Sequence, residues 1–209
     1  MKIITLSIAF ACSTLIILFS LNEFGYDRFH LEHNSIFRIL QRNTSEAYSG
    51  NRLSNKIPAE VFSILQADSR DSMKVSHVKV MDGLTITGEQ IFHDQKIHAA
   101  DPALTQIFSF DILHGSLQEF QQHEHTAILS SAAALQYFGT NQATGKTIKV
   151  CSLGDTLLYY VVAVVEDYPK NSHEEFRTLI RFDSIDLQTL GFSPEESGVY
   201  GKTLDVTMT

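Results

Sequence analysis

Ile3 to Leu21 reads IITLSIAFACSTLIILFSL, nineteen residues without a charge, a proline or a glycine. As a helix at ~1.5 Å per residue it is about 28 Å long, close to the roughly 30 Å hydrocarbon thickness of a bilayer. Eleven of its residues are Ile, Leu or Phe. At roughly −0.3 to −0.6 kcal/mol each near the helix centre, they favour insertion by about 3–7 kcal/mol. The hydroxyls of Thr5, Ser7, Ser13, Thr14 and Ser20 subtract little, because each can bond back to a carbonyl one turn earlier. A cleaved secretory signal also joins a basic residue to an apolar run, but its core is about 7–15 residues long and ends in a small-x-small site. Here the run is longer and leads into NEFGYDR at residues 22–28. The stretch reads as a retained membrane anchor. Lys2 precedes it and the side after it is acidic, so the positive-inside rule puts the N-terminus in the cytoplasm and everything after residue 22 outside.

The rest of the chain, to Thr209, is long enough to bury most of its apolar surface in one domain or two small ones. The net charge of −8, with no basic cluster, excludes nucleic acid as an expected partner. Cys12 lies inside the span and Cys151 outside it, so the two cannot pair and the outer domain rests on its core alone.

Downstream of the span, residues 22–33, NEFGYDRFHLEH, set Phe24, Tyr26 and Phe29 among charges. They suit a headgroup-level aromatic belt, or a lever joining span to domain. Ile36 to Leu40 reads as a first strand, residues 41–56 as a polar loop, and Pro58 to Gln66 as an amphipathic helix. Val75 to Val80, Leu84 to Thr87 and Gln90 to His93 read as short strands separated by turns at Asp82-Gly83 and Gly88-Glu89. Asp101 is placed to cap a short helix at Pro102 to Ile107, and FSFDILHGS then forms an apolar stop ending at Gly115. Thr126 to Leu129 is a strand. Ser130 or Ser131 caps a helix that Gly139 ends. Lys146 to Val150, Leu157 to Val165, Phe176 to Phe182 and Tyr200 to Met208 complete the strands.

Chemistry is hard to place on this pattern. GTNQATGKT at 139–147 has five residues between its first glycine and the Gly-Lys pair, where a phosphate loop has four, and it runs from a helix into a strand rather than the reverse. Gly145-Lys146 therefore reads as a tight turn with a solvated lysine. His30 with His33, and His123 with His125, lack a third ligand at metal-binding spacing. No nucleophile elbow or Ser-x-x-Lys pair is present, so the expectation is no catalytic residue, no cofactor, no metal and no enzyme.

The ordered segments NEFGYDRFHLEHNSIFRI, ADPALTQIFSFDILHGS, TAILSSAAALQYFGTNQATGKTIKV and YYVVAVVEDYPKNSHEEF resemble the MacB-like periplasmic core domain of FtsX-like ABC transporter permeases. The resemblance implies an α+β fold: a transmembrane helix at 1–22, a juxtamembrane connector at 23–33, and a porter-like α/β part from 34–82 and 174–209. An inserted β-rich part would occupy 83–173. It implies a bacterial inner (cytoplasmic) membrane location with the domain in the periplasm. Expected partners are a cytoplasmic ABC ATPase subunit, a second permease copy forming a dimer, a periplasmic adaptor and the lipid bilayer. The function implied is coupling of ATP hydrolysis to periplasmic movement for export or extraction of substrate. Helix motion would pass through Tyr26, Asp27, Arg28 and Phe29. The family carries further membrane helices after this domain and this sequence has one span, so a fragment or truncated gene is expected. The alternative is a membrane-anchored extracytoplasmic sensor or binding domain.

Overall fold

A computed structural model describes residues 2–23, 35–43, 52–54, 59–68, 73–152, 155–169, 172, 175–181 and 198–203. Helix α1 (Lys2–Glu23) is long and apolar enough to cross a membrane by length and composition. Its side chains from Ile3 to Phe19 are exposed. The hydroxyls of Ser7, Ser13 and Thr14 donate to the carbonyls of Ile3, Ala9 and Phe10 at 2.9 Å, which satisfies them without water.

Strand β1 (Ile36–Ile39), the short strands β2 (Gln41–Asn43) and β3 (Arg52–Ser54), and helix α2 (Ala59–Asp68) follow. Next come β4 (Met73–Thr87), β5 (Gln90–Ala100), α3 (Leu104–Ile107), β6 (Ile112–Gly115) and α4 (Leu117–Gln122). The described elements end with β7 (Thr126–Ser130), α5 (Ser131–Phe138), β8 (Thr147–Ser152), β9 (Asp155–Val165), β10 (Thr178–Arg181) and β11 (Gly198–Thr203). The class is mixed α and β with an N-terminal apolar helix, as the sequence predicts.

Nine strands share one sheet in the order β1-β11-β4-β5-β10-β7-β9-β6, with β8 pairing both β4 and β9. That double pairing closes a ring, in which β4, β5, β10, β7, β9 and β8 are each bonded to two neighbours within it. Side chains alternate across a strand, so each ring strand offers one set inward and one outward. Ile97, Leu129, Ile148, Tyr159 and Ile180 fill the interior, and Ala133, Ala134 and Tyr137 of α5 join them. A second cluster lies on the other face, where α3 and α4 bring Leu104, Ile107 and Phe120 against Ile128, Val162 and Leu179. A strand covered on both faces needs no polar alternation, which explains why all five residues of TAILS in β7 are buried.

Several sequence expectations need correction. Residues 41–43 and 52–54, read as loop, pair as an antiparallel ribbon. Such short polar strands are held by backbone bonds and leave no hydrophobic pattern to read. Asp82-Gly83 is no turn, because β4 runs through it with a register shift between Met81 and Gly83. A Cβ on Gly83 would stand 3.0 Å from both the Cys151 carbonyl oxygen and the Ile97 side chain, so this glycine serves a close approach of strands. The strand expected to stop at His93 continues to Ala100. The stretch expected as an apolar stop contains β6, exposed along its length, and α4 follows it unforeseen. The end of β7 and the start and end of α5 agree with expectation: Ser130 accepts from the Ala133 amide at 3.2 Å and Gly139 closes the helix at φ 67°.

Candidate functional site

The junction where the chain enters the main sheet brings several aromatic and charged side chains together. β1, the first strand of the main sheet after α1, pairs with β11 from Ile36 opposite Lys202 to Ile39 opposite Val199, and β11 pairs in turn with β4. Phe37 lies over Gly201, where a Cβ would come within 2.4 Å of its ring. Arg38 places its guanidinium 5.1 Å above the Tyr200 ring. From there aromatic edges run inward: Tyr200 to Phe108 at 5.4 Å, Phe108 to Phe176 at 5.3 Å, and Phe176 to His98 of β5 at 5.0 Å. Phe110 and Tyr168 close on Phe176 from its sides at 5.9 and 5.6 Å. Edge-to-face pairs add about 0.5–1.5 kcal/mol each beyond the area they bury. The aromatic path thus ties the entry strand to the ring.

Polar groups are buried beside this path. His77 of β4 stacks on Phe62 of α2 at 5.0 Å, and burial, helped by the charge of Lys79, lowers it to about 4. His98 is lowered to about 4 by burial and then by Lys96. Both imidazoles are neutral at neutral pH. Asp101, expected to cap the helix after it, accepts the Ser76 hydroxyl at 2.6 Å and is also favoured by the backbone at Ala103 and Leu104, where that helix starts; Ala103, directly before the helix, has no side-chain cap to offer. Burial pushes its carboxyl up to about 6, against the opposing pull of Ser76 and of the backbone at His77, Ala103 and Leu104. Burial likewise raises Tyr168, with the charge of Asp111 adding to it.

The proposed coupling residues Tyr26, Asp27, Arg28 and Phe29, and the pair His30 and His33, lie outside the described residues. His123 is exposed. His125 adopts φ 53° and sets its ring edge-on to Tyr159 at 5.9 Å. Among the described residues no group of three His, Cys, Asp or Glu is placed to hold a metal ion. Gly139 to Thr147 joins the end of α5 to the start of β8, the reverse of a phosphate-binding order. Lys146, expected to be solvated, lies 4.8 Å over the Phe138 ring. Sequence reading missed Phe176 and Tyr200 as members of the aromatic path. The only signal available was their place in β-patterned segments, which does not say which rings meet.

Among the solved structures that share this fold, three are compared. A domain of a Porphyromonas gingivalis protein described as a permease superposes with TM-score 0.66 at 16% identity, covering 87% of this chain and 78% of that one. The periplasmic region of MacB from Actinobacillus actinomycetemcomitans gives TM-score 0.57 at 12% identity, covering 84% and 77%. The extracellular domain of the noncanonic ABC-type transporter YknZ from Gram-positive bacteria gives 0.54 at 16% identity, covering 82% and 84%. No curated protein matches the sequence. The family model of the MacB-like periplasmic core domain matches residues 2–207. With that match over almost its whole length, and with the fold of permease periplasmic domains, the chain belongs to the family of MacB-like periplasmic core domains of ABC-transporter permeases.

Proposed function

We propose that this domain transmits movement between a permease's membrane helices and its periplasmic surface, so that ATP hydrolysis by a cytoplasmic ATPase subunit drives export or extraction of a substrate. The observation that carries the reading is the continuity of β1 with the ring through β11 and β4, reinforced by the path Arg38, Tyr200, Phe108, Phe176 and His98. Displacing an edge strand so tied moves a packed sheet as a body, because a close-packed interior transmits strain. In this reading Tyr26, Asp27, Arg28 and Phe29 join α1 to β1 and carry the motion. The porter-like part takes 34–82 and 174–209 and the β-rich part 83–173. The β4 irregularity between Met81 and Gly83 falls at that division. A second permease copy and a periplasmic adaptor complete the assembly, in the inner membrane.

The test is Asp27→Ala with Arg28→Ala in the full-length permease, reconstituted with its ATPase in proteoliposomes. Loss of transport with ATP hydrolysis retained is the expected result. Unchanged transport together with unchanged stimulation of hydrolysis overturns the coupling role.

A further inference from the structure

The second half of β4 turns its hydroxyls inward and its aliphatic side chains outward. Thr85 and Thr87 are buried, while Leu84 and Ile86, alternating with them, are only partly covered. Thr87 donates its hydroxyl to the Tyr137 carbonyl at 3.2 Å, but Thr85 Oγ1 is buried with no hydrogen-bond partner. A strand with one solvated face ordinarily does the reverse, aliphatic in and hydroxyl out. The neighbouring strands continue the outer surface. Ile91 of β5, Ile86 of β4, Lys149 of β8 and Leu158 of β9 are register partners in succession, one row across four strands. Tyr160, two residues beyond Leu158, lies on the same face. Ile91 is 59% exposed, Leu158 41% and Tyr160 52%. Lys149, also exposed, sits within this apolar row and has no acidic partner among the described residues.

We propose that this face docks an extracytoplasmic protein through an apolar segment that carries an aspartate or glutamate for Lys149. A contiguous exposed apolar surface marks an interaction site where a single exposed residue does not. Closing an apolar rim around Lys149 removes the water and salt that screen it, so a facing carboxylate sets register and partner choice. Charge also decides the occupant. A second copy laid row against row would bring Lys149 towards Lys149 with no carboxylate from the row between them, because the nearest described acids, Asp82 and Glu89, lie outside it. The face also stands away from the strand that follows the membrane helix. β11, which joins β1 to β4, pairs with β4 only as far as Val78, and Leu84 is about 20 Å further along at ~3.3 Å per residue. This inference goes beyond the transport reading and does not depend on it.

The experiment puts the photoreactive residue benzoylphenylalanine in place of Leu158 in the full-length permease in its own cells, with Gln118 of α4, also exposed, as the control position. Irradiation at Leu158 is expected to join the permease to one extracytoplasmic protein, at a segment that mass spectrometry shows to be apolar and to carry Asp or Glu. The control position should give no such product. Lys149→Glu should cut the yield about tenfold or more, the worth of one charged hydrogen bond, and changing the partner's acid to lysine should restore it. Should the charge reversal lower the thermal melt, Lys149→Gln carries the same test without repulsion. No adduct, an adduct only to lipid or to a second copy, or a yield that neither Lys149 variant lowers overturns the proposal.

Discussion

The Ser76 hydroxyl on β4 donates to the Asp101 carboxylate beyond the end of β5 at 2.6 Å, so a half-buried acid is held across the two longest neighbouring strands of the ring. The bond, with the backbone at His77, Ala103 and Leu104, works against the burial that raises this carboxyl.

A pH dependence follows from the groups near that bond. Asp101 rises from 3.8 to about 6 on folding, so ionising it costs more in the folded chain, and its contribution declines as pH rises through that interval. His77 and His98 fall from 6.5 to about 4, so the unfolded chain takes up their protons first and stability is lost as pH drops from 6.5 towards 4. Two histidines outweigh one acid, and net stability should fall on acidification. Asp101→Asn removes the opposing contribution. It should stabilise the protein at pH 7.5 by about 1–3 kcal/mol and make the acid loss steeper. Thermal melts at pH 7.5 and 4.5 check this, and a variant that melts below the parent at pH 7.5 contradicts it.

Two glycines in the left-handed region should respond differently to alanine. Gly115 has φ 89°, and a Cβ there would meet the Val162 carbonyl oxygen at 2.0 Å, so Gly115→Ala must push β6 off β9. We expect a loss of roughly 2–4 kcal/mol, in the range of strong steric disruptions. Gly139 has φ 67° with nothing within 4 Å of the added carbon. Its alanine variant should lose only the backbone cost of about 1–2 kcal/mol. Urea denaturation of both variants measures the difference, and equal losses would mean that the contact at Val162 is relieved at little cost.

The aromatic path should be strongest at its buried centre. Phe176, with 2% of its surface exposed, meets His98, Phe108, Phe110 and Tyr168. Phe176→Ala should cost about 3–5 kcal/mol by creating a cavity. Arg38→Ala at the outer end loses one cation–π contact of about 0.5–1 kcal/mol. Chemical denaturation reads both. A small loss at Phe176 would show that its neighbours collapse into the space.

Where local chemistry dictates local structure, the residues could be read without coordinates. Ser130, the alanines after it and Gly139 spell a capped and terminated helix, and α5 is found there. The apolar run at Ile3 to Leu21 announces α1 in the same way. Closure of the ring was not legible, because it depends on β8 bonding β4, through Leu84 opposite Cys151, across more than sixty residues of sequence. The Asp82-Gly83 pair misled because the same dipeptide serves turns and close strand approaches, and only the neighbour decides which. For the candidate site, FSFD marked Phe108 and Phe110 as apolar, but their meeting with Phe176 and Tyr200 comes from strand order. The Asp101 bond to Ser76 was hidden because a local capping role for the aspartate was equally consistent with the sequence.

The closed ring also constrains how the protein is made. β7 lies between β10 and β9, both later in the chain, and β11, which joins β1 to β4, comes after all of them. Synthesis delivers the chain from its N-terminus, so β7, buried on both faces in the folded domain, emerges before either neighbour. Until Thr178–Arg181 arrives, that strand has an open edge of the kind that recruits other chains. The ring therefore makes folding of this domain nearly all-or-none, and a chain halted before residue 178 should remain an unfolded species with an open strand edge.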